Sequence, residues 1–391
     1  MRLIIISFLI FLANTTSARS TQSDKKAIIV FERLFSKLSN LETISYNYYR
    51  GLNYFSENYH RETEGNIFID FRSKDSALGF RYQVENKDLK AVYNGAETFF
   101  LNKNDTTIKV SFKAQIGVVE SLPLLTNSII TLKKALPKIL TDSEVVKKLA
   151  DTTINAKSYY LASFVLQNKK LNNLGDYSPI TLKRDFLYKI VIDKSTFLPL
   201  HIIQTNSAEP KDYVLTSFSN LKSNINQLRE NSWYYSTYIR DFKPSSDKKV
   251  TLIEINAAAP DWEANNINKN ETISLAKLKG KVVLLEFWIK NCGYCIGAIP
   301  ELNSLIEKYN GSNNFNVIGI NRHDRQEDIN FFYVKNKPKF NTVSDSNGNI
   351  ATAYGVNGFP TIVLIDKNGI VIYAGNFDKK VLDGLLKTVL E

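Results

Sequence analysis

The stretch KVVLLEFWI, residues 281–289, constrains the fold of this chain more than any other segment. It is a nearly continuous apolar run, which is typical of a central strand that is covered on both faces. Helix-like and strand-like segments alternate after it: AIPELNSLIEKYN and RQEDINFFYVKNK have helical patterns, and FNVIGIN is a second buried strand. This alternation predicts a compact α/β domain.

The last part of this domain shows a hairpin and a closing helix. TIVLID and IVIYAG are strand-like and flank Lys367-Asn368-Gly369, which predicts a tight turn. FDKKVLDGLLKTVL has the spacing of an amphipathic helix. A polar stretch with Pro244, residues 241–250, precedes the domain and predicts a linker. We therefore place the C-terminal domain, including the linker, at residues 244–391.

The preceding residues, 22–243, predict an α+β domain with a curved antiparallel sheet and a few helices. Residues 25–41 place apolar side chains at helical spacing, and short aromatic segments with partial alternation follow. Asn94-Gly95 lies between two such segments and predicts a hairpin. Residues 120–150 have a helical pattern that we expect to be broken near Pro137.

The first residues of the chain predict export. An apolar run from Leu3 to Ala13 follows an early positive charge, and small and polar residues come next. The run is shorter than the roughly 20 residues that a membrane-spanning helix needs. The pattern predicts a signal peptide over residues 1–18. We expect a soluble extracytoplasmic protein, in the periplasm of a Gram-negative bacterium.

The two cysteines of the chain, Cys292 and Cys295, lie two residues apart. A disulfide that closes so small a loop restricts the unfolded chain very little, so it is a poor structural crosslink. A zinc site needs more ligands, and the histidines, His60, His201 and His323, have no metal-finger spacing. A redox role therefore explains the pair best, and we predict no metal site.

The region from about residue 250 to 391 resembles the thioredoxin fold of the TlpA/ResA-like exported thiol–disulfide oxidoreductases. The motif CGYC follows the first long strand, and Pro300 lies in the helix after it, where this family's active-site helix bends. AAAPDW resembles the family's entry hairpin, and DSNGNIATAYGVNGFPTIVLIDKNGIVI resembles the segment with its cis-proline, here Pro360. The resemblance implies that the dithiol is the redox centre, and no flavin, nicotinamide or metal cofactor is predicted.

The helix that follows the motif gives the two cysteines different roles. Cys292 would sit at the helix N-terminus, where free N–H groups and the helix dipole favour negative charge and lower the pKa of a thiol. We therefore predict that Cys292 attacks, and that Cys295, one turn inward, resolves the mixed disulfide.

Four further residues complete the predicted site. Glu286 has the spacing of the family's buried acid, which implies proton exchange with Cys295; a solvated edge position is the alternative. Pro360 would be cis and face the cysteines, so that backbone groups of Phe359 could pair with an extended substrate; an ordinary trans proline is the alternative. Trp288 is predicted beside the site as a substrate contact, although core packing explains it nearly as well.

The site departs from the family pattern at two positions, 291 and 294. Asn291 stands where tryptophan is usual, and Gly293-Tyr294 replaces the common Gly-Pro. Gly-Tyr also resembles the dipeptide of periplasmic disulfide isomerases, so the sequence leaves the direction of electron flow open. We interpret His323 as a solvated loop residue rather than a catalytic one.

The predicted function is that of an exported thiol–disulfide oxidoreductase that reduces envelope proteins and takes electrons from a membrane-bound thiol donor. An oxidase or isomerase is the alternative within the same chemistry. Residues 22–243, with a leading helix, successive strands, a helical interruption and the stretch YKIVIDKSTFLPLHI, resemble the half-barrel of outer-membrane lipoprotein carriers. A module that binds a lipid or protein and is regulated by the redox domain is therefore another alternative. The net charge of +11 is scattered along the chain, and no nucleic-acid partner is expected.

Overall fold

The computed structural model describes residues 23–73, 77–112, 116–180, 182–225, 228–245, 251–269, 271–290, 292–309, 314–322 and 324–390. The predicted signal peptide, Asn291 and His323 lie outside the described residues. We call residues 23–245 the N-terminal region and residues 251–390 the C-terminal region. Among the described residues, no helix is both long and apolar enough to span a membrane.

The N-terminal region is built on one long, almost entirely antiparallel sheet. Its strands and helices are α1 (Lys25–Ser39), β1 (Thr43–Tyr54), β2 (Tyr59–Asp70), β3 (Arg81–Glu85), β4 (Leu89–Tyr93), β5 (Thr98–Asn102), β6 (Thr107–Ser111), α2 (Ile116–Ser121), α3 (Ile129–Thr141), β7 (Lys147–Ile154), β8 (Lys157–Leu166), β9 (Lys169–Leu171), β10 (Tyr177–Pro179), β11 (Phe186–Asp193), β12 (Pro199–Asn206), β13 (Tyr213–Ser223) and β14 (Lys243–Pro244). The sheet order is β14-β6-β5-β4-β3-β2-β1-β13-β12-β11-β8-β7, and β9 pairs separately with β10.

Helix α1 forms where the apolar spacing predicts it. The Asp24 side chain caps it by accepting a hydrogen bond from the Lys26 N–H at 2.8 Å. Its buried side chains pack with those of α3 against the sheet, and Phe31 contacts Phe164 edge to face with ring centroids 6.1 Å apart. The aromatic residues on this face of the sheet, such as Tyr82, therefore pack in the region's own core.

One further local prediction was right and one was wrong. Asn94-Gly95 joins β4 to β5 as a hairpin, with Gly95 at a φ of 108°. The helical pattern over 120–150 was misread, because Pro137 lies inside α3 and the chain is a strand again from Lys147. An internal proline costs a helix about 3 kcal/mol, and burial of residues such as Leu136 and Ile139 in the core offsets that cost.

The first part of the predicted linker belongs to the N-terminal sheet. Lys243 and Pro244 pair in parallel with Thr107 and Ile108 of β6. The following residues, 246–250, lie outside the described residues. The domain division after residue 243 therefore stays a prediction.

The C-terminal region is an α/β sandwich with the predicted alternation of elements. Its elements are β15 (Glu263–Asn266), β16 (Glu271–Ser274), β17 (Val282–Trp288), α4 (Gly293–Tyr309), β18 (Phe315–Asn321), α5 (Gln326–Asn336), β19 (Asn341–Ser344), α6 (Asn349–Ala353), β20 (Thr361–Ile365), β21 (Val371–Gly375) and α7 (Lys379–Leu390). The sheet order is β16-β15-β19-β18-β17-β20-β21. Every residue of β17 is buried between parallel β18 and antiparallel β20, so the predicted central strand is confirmed.

The two faces of β17 meet different parts of the core. Val282 and Leu284 face a cluster with α4 and α7, and Trp288 lies in a neighbouring cluster with the cysteines. Val283 and Leu285 face the other cluster, which includes α6. Because side chains alternate along a strand, Glu286 shares the face of Leu284 and Trp288.

Candidate active site

The two cysteines form a disulfide bond at the N-terminal end of α4. Their Cα atoms are 5.2 Å apart. The Ile296 N–H donates to the Cys292 carbonyl oxygen at 3.0 Å, and the Cys295 N–H donates to Cys292 Sγ at 3.1 Å. Cys292 is therefore the N-cap residue of the helix, with its sulfur on a backbone N–H that has no partner within the helix. The predicted placement at a helix N-terminus is confirmed.

Burial distinguishes the two sulfurs. Cys292 keeps 9% of its surface exposed, whereas Cys295 keeps 1%. Tyr294 between them is 74% exposed and projects from the site. An external reagent or substrate therefore reaches Cys292 before Cys295.

The strand end that leads into the cysteines is held by residues after β18. The Lys290 N–H donates to Asp324 Oδ2 at 2.6 Å, and Asn321 Nδ2 donates to the same oxygen at 2.9 Å. Lys290 Nζ pairs with Asp328 Oδ1 at 2.9 Å, although the lysine side chain is only 3% exposed.

Sequence reasoning missed these residues. Parallel β17 and β18 end at the same edge of the sheet. Acidic residues that follow β18, such as Asp324 and Asp328, could therefore have been expected beside Lys290.

Glu286 is buried on the side of β17 that faces α4 and the cysteine cluster. It is 1% exposed, and its Oε2 atom has no hydrogen-bond partner among the described residues. Burial raises the pKa of the Glu286 carboxyl to about 8. The predicted buried position is confirmed, and the solvated edge position is excluded.

The Phe359-Pro360 peptide bond is cis, as predicted. Phe359 is partly buried and packs against the cluster that contains both cysteines, so the two segments meet in space. Trp288 belongs to the same cluster but is 1% exposed, and its ring lies 4.3 Å from that of Phe332. The indole thus lies beneath the site, where core packing accounts for it and direct substrate contact does not.

No group of three or more His, Cys, Asp or Glu side chains within the described ranges is arranged to hold a metal ion. The disulfide at the start of α4 is the chemically distinctive feature of this region, since Cys292 is more exposed than Cys295 and the buried Glu286 lies on the same face of β17 as Trp288, which packs in one cluster with both cysteines.

Comparison with known proteins agrees with this geometry. Residues 255–374 match the model of the AhpC/TSA family. Thiol-disulfide oxidoreductase ResA of Bacillus thuringiensis subsp. konkukian is 32% identical over 143 residues, which cover 36% of this chain and 82% of that protein. A thioredoxin-like protein of Haemophilus influenzae is 36% identical over 130 residues, 33% of this chain and 67% of that protein.

A solved structure from Chlorobium tepidum, described provisionally as thiol:disulfide interchange protein DsbE, is 30% identical. It aligns over 36% of this chain and 100% of its own length with a TM-score of 0.34. These matches fall in the C-terminal third, where the disulfide, the buried acid and the cis-proline lie. Through that third, the chain belongs to the ResA-like thiol–disulfide oxidoreductases of the thioredoxin fold.

Proposed function

We propose that this protein is exported and reduces disulfides of envelope proteins through Cys292 and Cys295. The observation that carries the proposal is the disulfide at the start of α4, in which Cys292 keeps 9% of its surface exposed and Cys295 keeps 1%. Since oxidoreductases of this family act on protein disulfides, disulfide-containing proteins are the substrates.

The proposed reaction transfers two electrons. The Cys292 thiolate attacks one sulfur of a substrate disulfide, forms a mixed disulfide and releases the other sulfur as a thiolate. Cys295 loses its proton and attacks Cys292 Sγ, which releases the second substrate thiol and leaves the Cys292–Cys295 disulfide. The helix dipole and the Cys295 N–H favour the attacking thiolate, because both place positive charge at Cys292 Sγ.

Glu286 is the proposed proton acceptor for Cys295. A thiol ordinarily titrates near pH 8.5, and burial raises the pKa of Glu286 to about 8. Proton transfer between groups of similar pKa costs little free energy, so the two can exchange a proton near neutral pH. In the reverse direction, the protonated Glu286 returns the proton to Cys295.

The proposed substrate contact is the backbone at Phe359 and Pro360. Phe359 packs against the cysteine cluster while part of its surface stays exposed. An extended substrate segment could pair with its backbone groups as an added strand does. Trp288 supports the cysteines from below.

Export and electron supply are also proposals. The apolar stretch within residues 1–18 supports passage across a membrane, and we propose the periplasm of a Gram-negative bacterium as the location. A membrane-bound thiol would then return the Cys292–Cys295 disulfide to the dithiol.

The N-terminal region offers a place for a ligand. An open groove of about 630 Å³ lies on its sheet and includes Asn47, Phe68 and Lys222 in its lining. A lipid or protein bound there would support the alternative that this region is a binding module regulated by the redox pair. Lipid that copurifies with a variant lacking both cysteines would favour that alternative.

A trapping experiment in the native envelope tests the proposed reaction. Without its resolving thiol, the Cys295→Ala variant should hold substrates on Cys292 as mixed disulfides, which mass spectrometry can identify. The Cys292→Ser/Cys295→Ala variant is the control and should capture nothing. Equal capture by both variants would contradict the proposal.

The redox state of the captured proteins tests the direction. Their disulfides should accumulate in cells that lack this protein if it is a reductase. Accumulation of their free thiols would show that the protein is an oxidase instead.

A further inference from the structure

The first hairpin of the N-terminal region contacts helix α5 of the C-terminal region. We call residues 54–59, which join β1 to β2, the hairpin tip. Lys335 Nζ lies 3.5 Å from the Ser56 carbonyl oxygen and 3.4 Å from Ser56 Oγ. It also lies 3.7 Å from carboxylate oxygens of Glu57 and Glu209. One ammonium group of α5 therefore meets several acceptors of the N-terminal region.

The hairpin tip is held firmly by its own region. The Ser56 N–H donates to Asp212 Oδ1 at 2.9 Å, and the Ser56 hydroxyl donates to the other oxygen of the same carboxylate. Asp212 is 5% exposed. The rings of Tyr54 and Tyr59 stack with centroids 6.1 Å apart. These contacts fix the shape of the tip, so that it meets α5 as a preformed surface.

A second contact reaches the segment that leads into Cys292. Lys290 Nζ lies 5.7 Å from the ring centroid of Tyr59 in the hairpin tip and 5.8 Å from that of Phe331 in α5. A cation within about 6 Å of an aromatic face is attracted to it. The buried ammonium of Lys290 is thus shared between the Asp328 carboxylate and two rings, one from each region.

Helix α5 connects both contacts to the cysteines. Asp328, Phe331 and Lys335 recur at helical spacing and form the stripe that meets Lys290 and the tip. Ile329 and Phe332 form the adjacent stripe and pack in the cluster that contains both cysteines. A change in how the tip holds α5 is therefore passed to the packing around the disulfide.

We propose that the hairpin tip is a positioning element of the redox site. Through Lys335 and Lys290 it fixes α5 and the segment before Cys292, so that the N-terminal region sets the redox equilibrium of the cysteine pair. The inference rests on the proposed function, since it requires a redox-active pair. The tip contacts α5 in the form of the protein that holds the disulfide. A disulfide needs its two sulfurs at bonding distance, whereas two thiols do not, so the contact supports the oxidised form. Loss of the contact therefore favours the dithiol.

The test is the equilibrium of the full chain with glutathione, read as the dithiol fraction after alkylation and mass spectrometry. Lys335→Glu places a third carboxylate beside those of Glu57 and Glu209, and the three repel one another. We expect this variant to shift the equilibrium toward the dithiol by roughly threefold or more. Lys335→Arg retains the charge and should stay close to wild type. The control is Lys339→Glu, which breaks an ion pair with Glu307 inside the C-terminal region.

A second variant keeps the inference testable if Lys335→Glu does not fold. Tyr59→Leu removes the ring beside Lys290 and keeps the contacts of Lys335, and it should shift the equilibrium in the same direction. Wild-type equilibria in both Lys335→Glu and Tyr59→Leu, or an equal shift in Lys339→Glu, would overturn the inference. A wild-type pair that does not exchange with glutathione would overturn the proposed function as well, which separates the two failures.

Discussion

Two buried carboxylates, one in each sheet, show how differently the two regions treat charge. Asp70 of β2 and Glu286 of β17 are both 1% exposed. Burial alone would raise the pKa of Asp70, but hydrogen bonds from Arg72 and Arg81 outweigh it and hold that pKa below its usual range. Glu286 lacks a partner for Oε2 among the described residues, and burial raises its pKa to about 8.

The difference separates a carboxylate that stays ionised in the folded protein from a carboxyl that is protonated near neutral pH. A buried carboxylate with two guanidinium partners stays ionised and ties β2 to β3, so it holds the sheet together. A buried carboxyl with an oxygen that has no partner is destabilising when it ionises, yet it can exchange a proton near neutral pH. We infer that the C-terminal region tolerates this cost because the acid lies on the cysteine side of β17.

The largest expected effect is the pH dependence of stability in Glu286→Gln. The unfolded glutamate ionises near pH 4.5, whereas burial raises the folded pKa to about 8. Between these values the unfolded chain binds fewer protons, so the wild-type free energy of unfolding falls by about 1.4 kcal/mol per pH unit. Glu286→Gln lacks this term. We measure the free energy of unfolding of the disulfide form in urea. From about pH 5 to pH 8 it should fall by roughly 4 kcal/mol more in wild type than in Glu286→Gln.

Other groups cancel in this comparison. His201, whose pKa burial lowers to about 4, contributes equally to both proteins. Glu301→Gln, at an exposed position of α4, is the matched control and should keep the wild-type slope. Parallel slopes for Glu286→Gln and wild type would mean that Glu286 is already ionised in the folded protein, and the contrast with Asp70 would disappear.

Asp70→Asn should have the next largest effect. Removing one partner of a buried ion pair costs about 3–5 kcal/mol. We expect a smaller cost here, about 2–3 kcal/mol, because Arg72 is 38% exposed and Arg81 keeps a contact with Glu230. Since the folded pKa of Asp70 is lowered, its contribution is present at neutral pH and fades as acid protonates it. Urea unfolding at pH 7 and in acid measures both.

An exposed pair supplies the control for Asp70→Asn. Asp176 pairs with Lys138, and these side chains are 71% and 50% exposed. Asp176→Asn should therefore change the free energy of unfolding by less than about 1 kcal/mol. If both variants lower the free energy of unfolding by a similar amount, the ion pairs of Asp70 with Arg72 and Arg81 stabilise the protein no more than an exposed pair does.

Much of the C-terminal region could be predicted because local pattern and burial agree there. A strand whose side chains are apolar on both faces is shielded from water inside a sheet with helices on both sides, and β17 lies in the interior of its sheet. Glu286 lies inside that run, which favoured a buried position over the solvated edge alternative, and a cysteine just before a helical pattern was expected near the helix N-terminus. Each of these expectations depended on a few neighbouring residues.

Features that depend on distant residues could not be predicted. Pro137 lies inside α3 because the core holds the turns on both sides of it, which no local pattern reveals. Tyr59, whose ring lies beside Lys290, comes from the hairpin tip, more than 200 residues earlier in the chain. Contacts of this kind require the tertiary structure, because sequence spacing carries no information about them.

The smallest expected effect concerns Gly319, which lies opposite Glu286 in β18. A Cβ atom there would clash with Thr342 Oγ1 and lie 2.7 Å from Trp288 Nε1. Gly319→Ala should therefore cost about 1–2 kcal/mol in the free energy of unfolding, as overpacked core positions do. Gly384→Ala in α7, where a Cβ meets nothing within 4 Å, is the control and should be neutral or stabilising.

Gly319→Ala also tests why Glu286 is protonated in the folded protein. We expect the clash to displace the Trp288 indole, which lies on the same face of β17 as the carboxyl, and so to admit water to Glu286. Water that enters lowers the desolvation cost, so the pKa of Glu286 should fall toward its usual value. The pH slope of unfolding in Gly319→Ala should then lie between those of wild type and Glu286→Gln. A destabilised variant with the full wild-type slope would show that Trp288 does not control the acid.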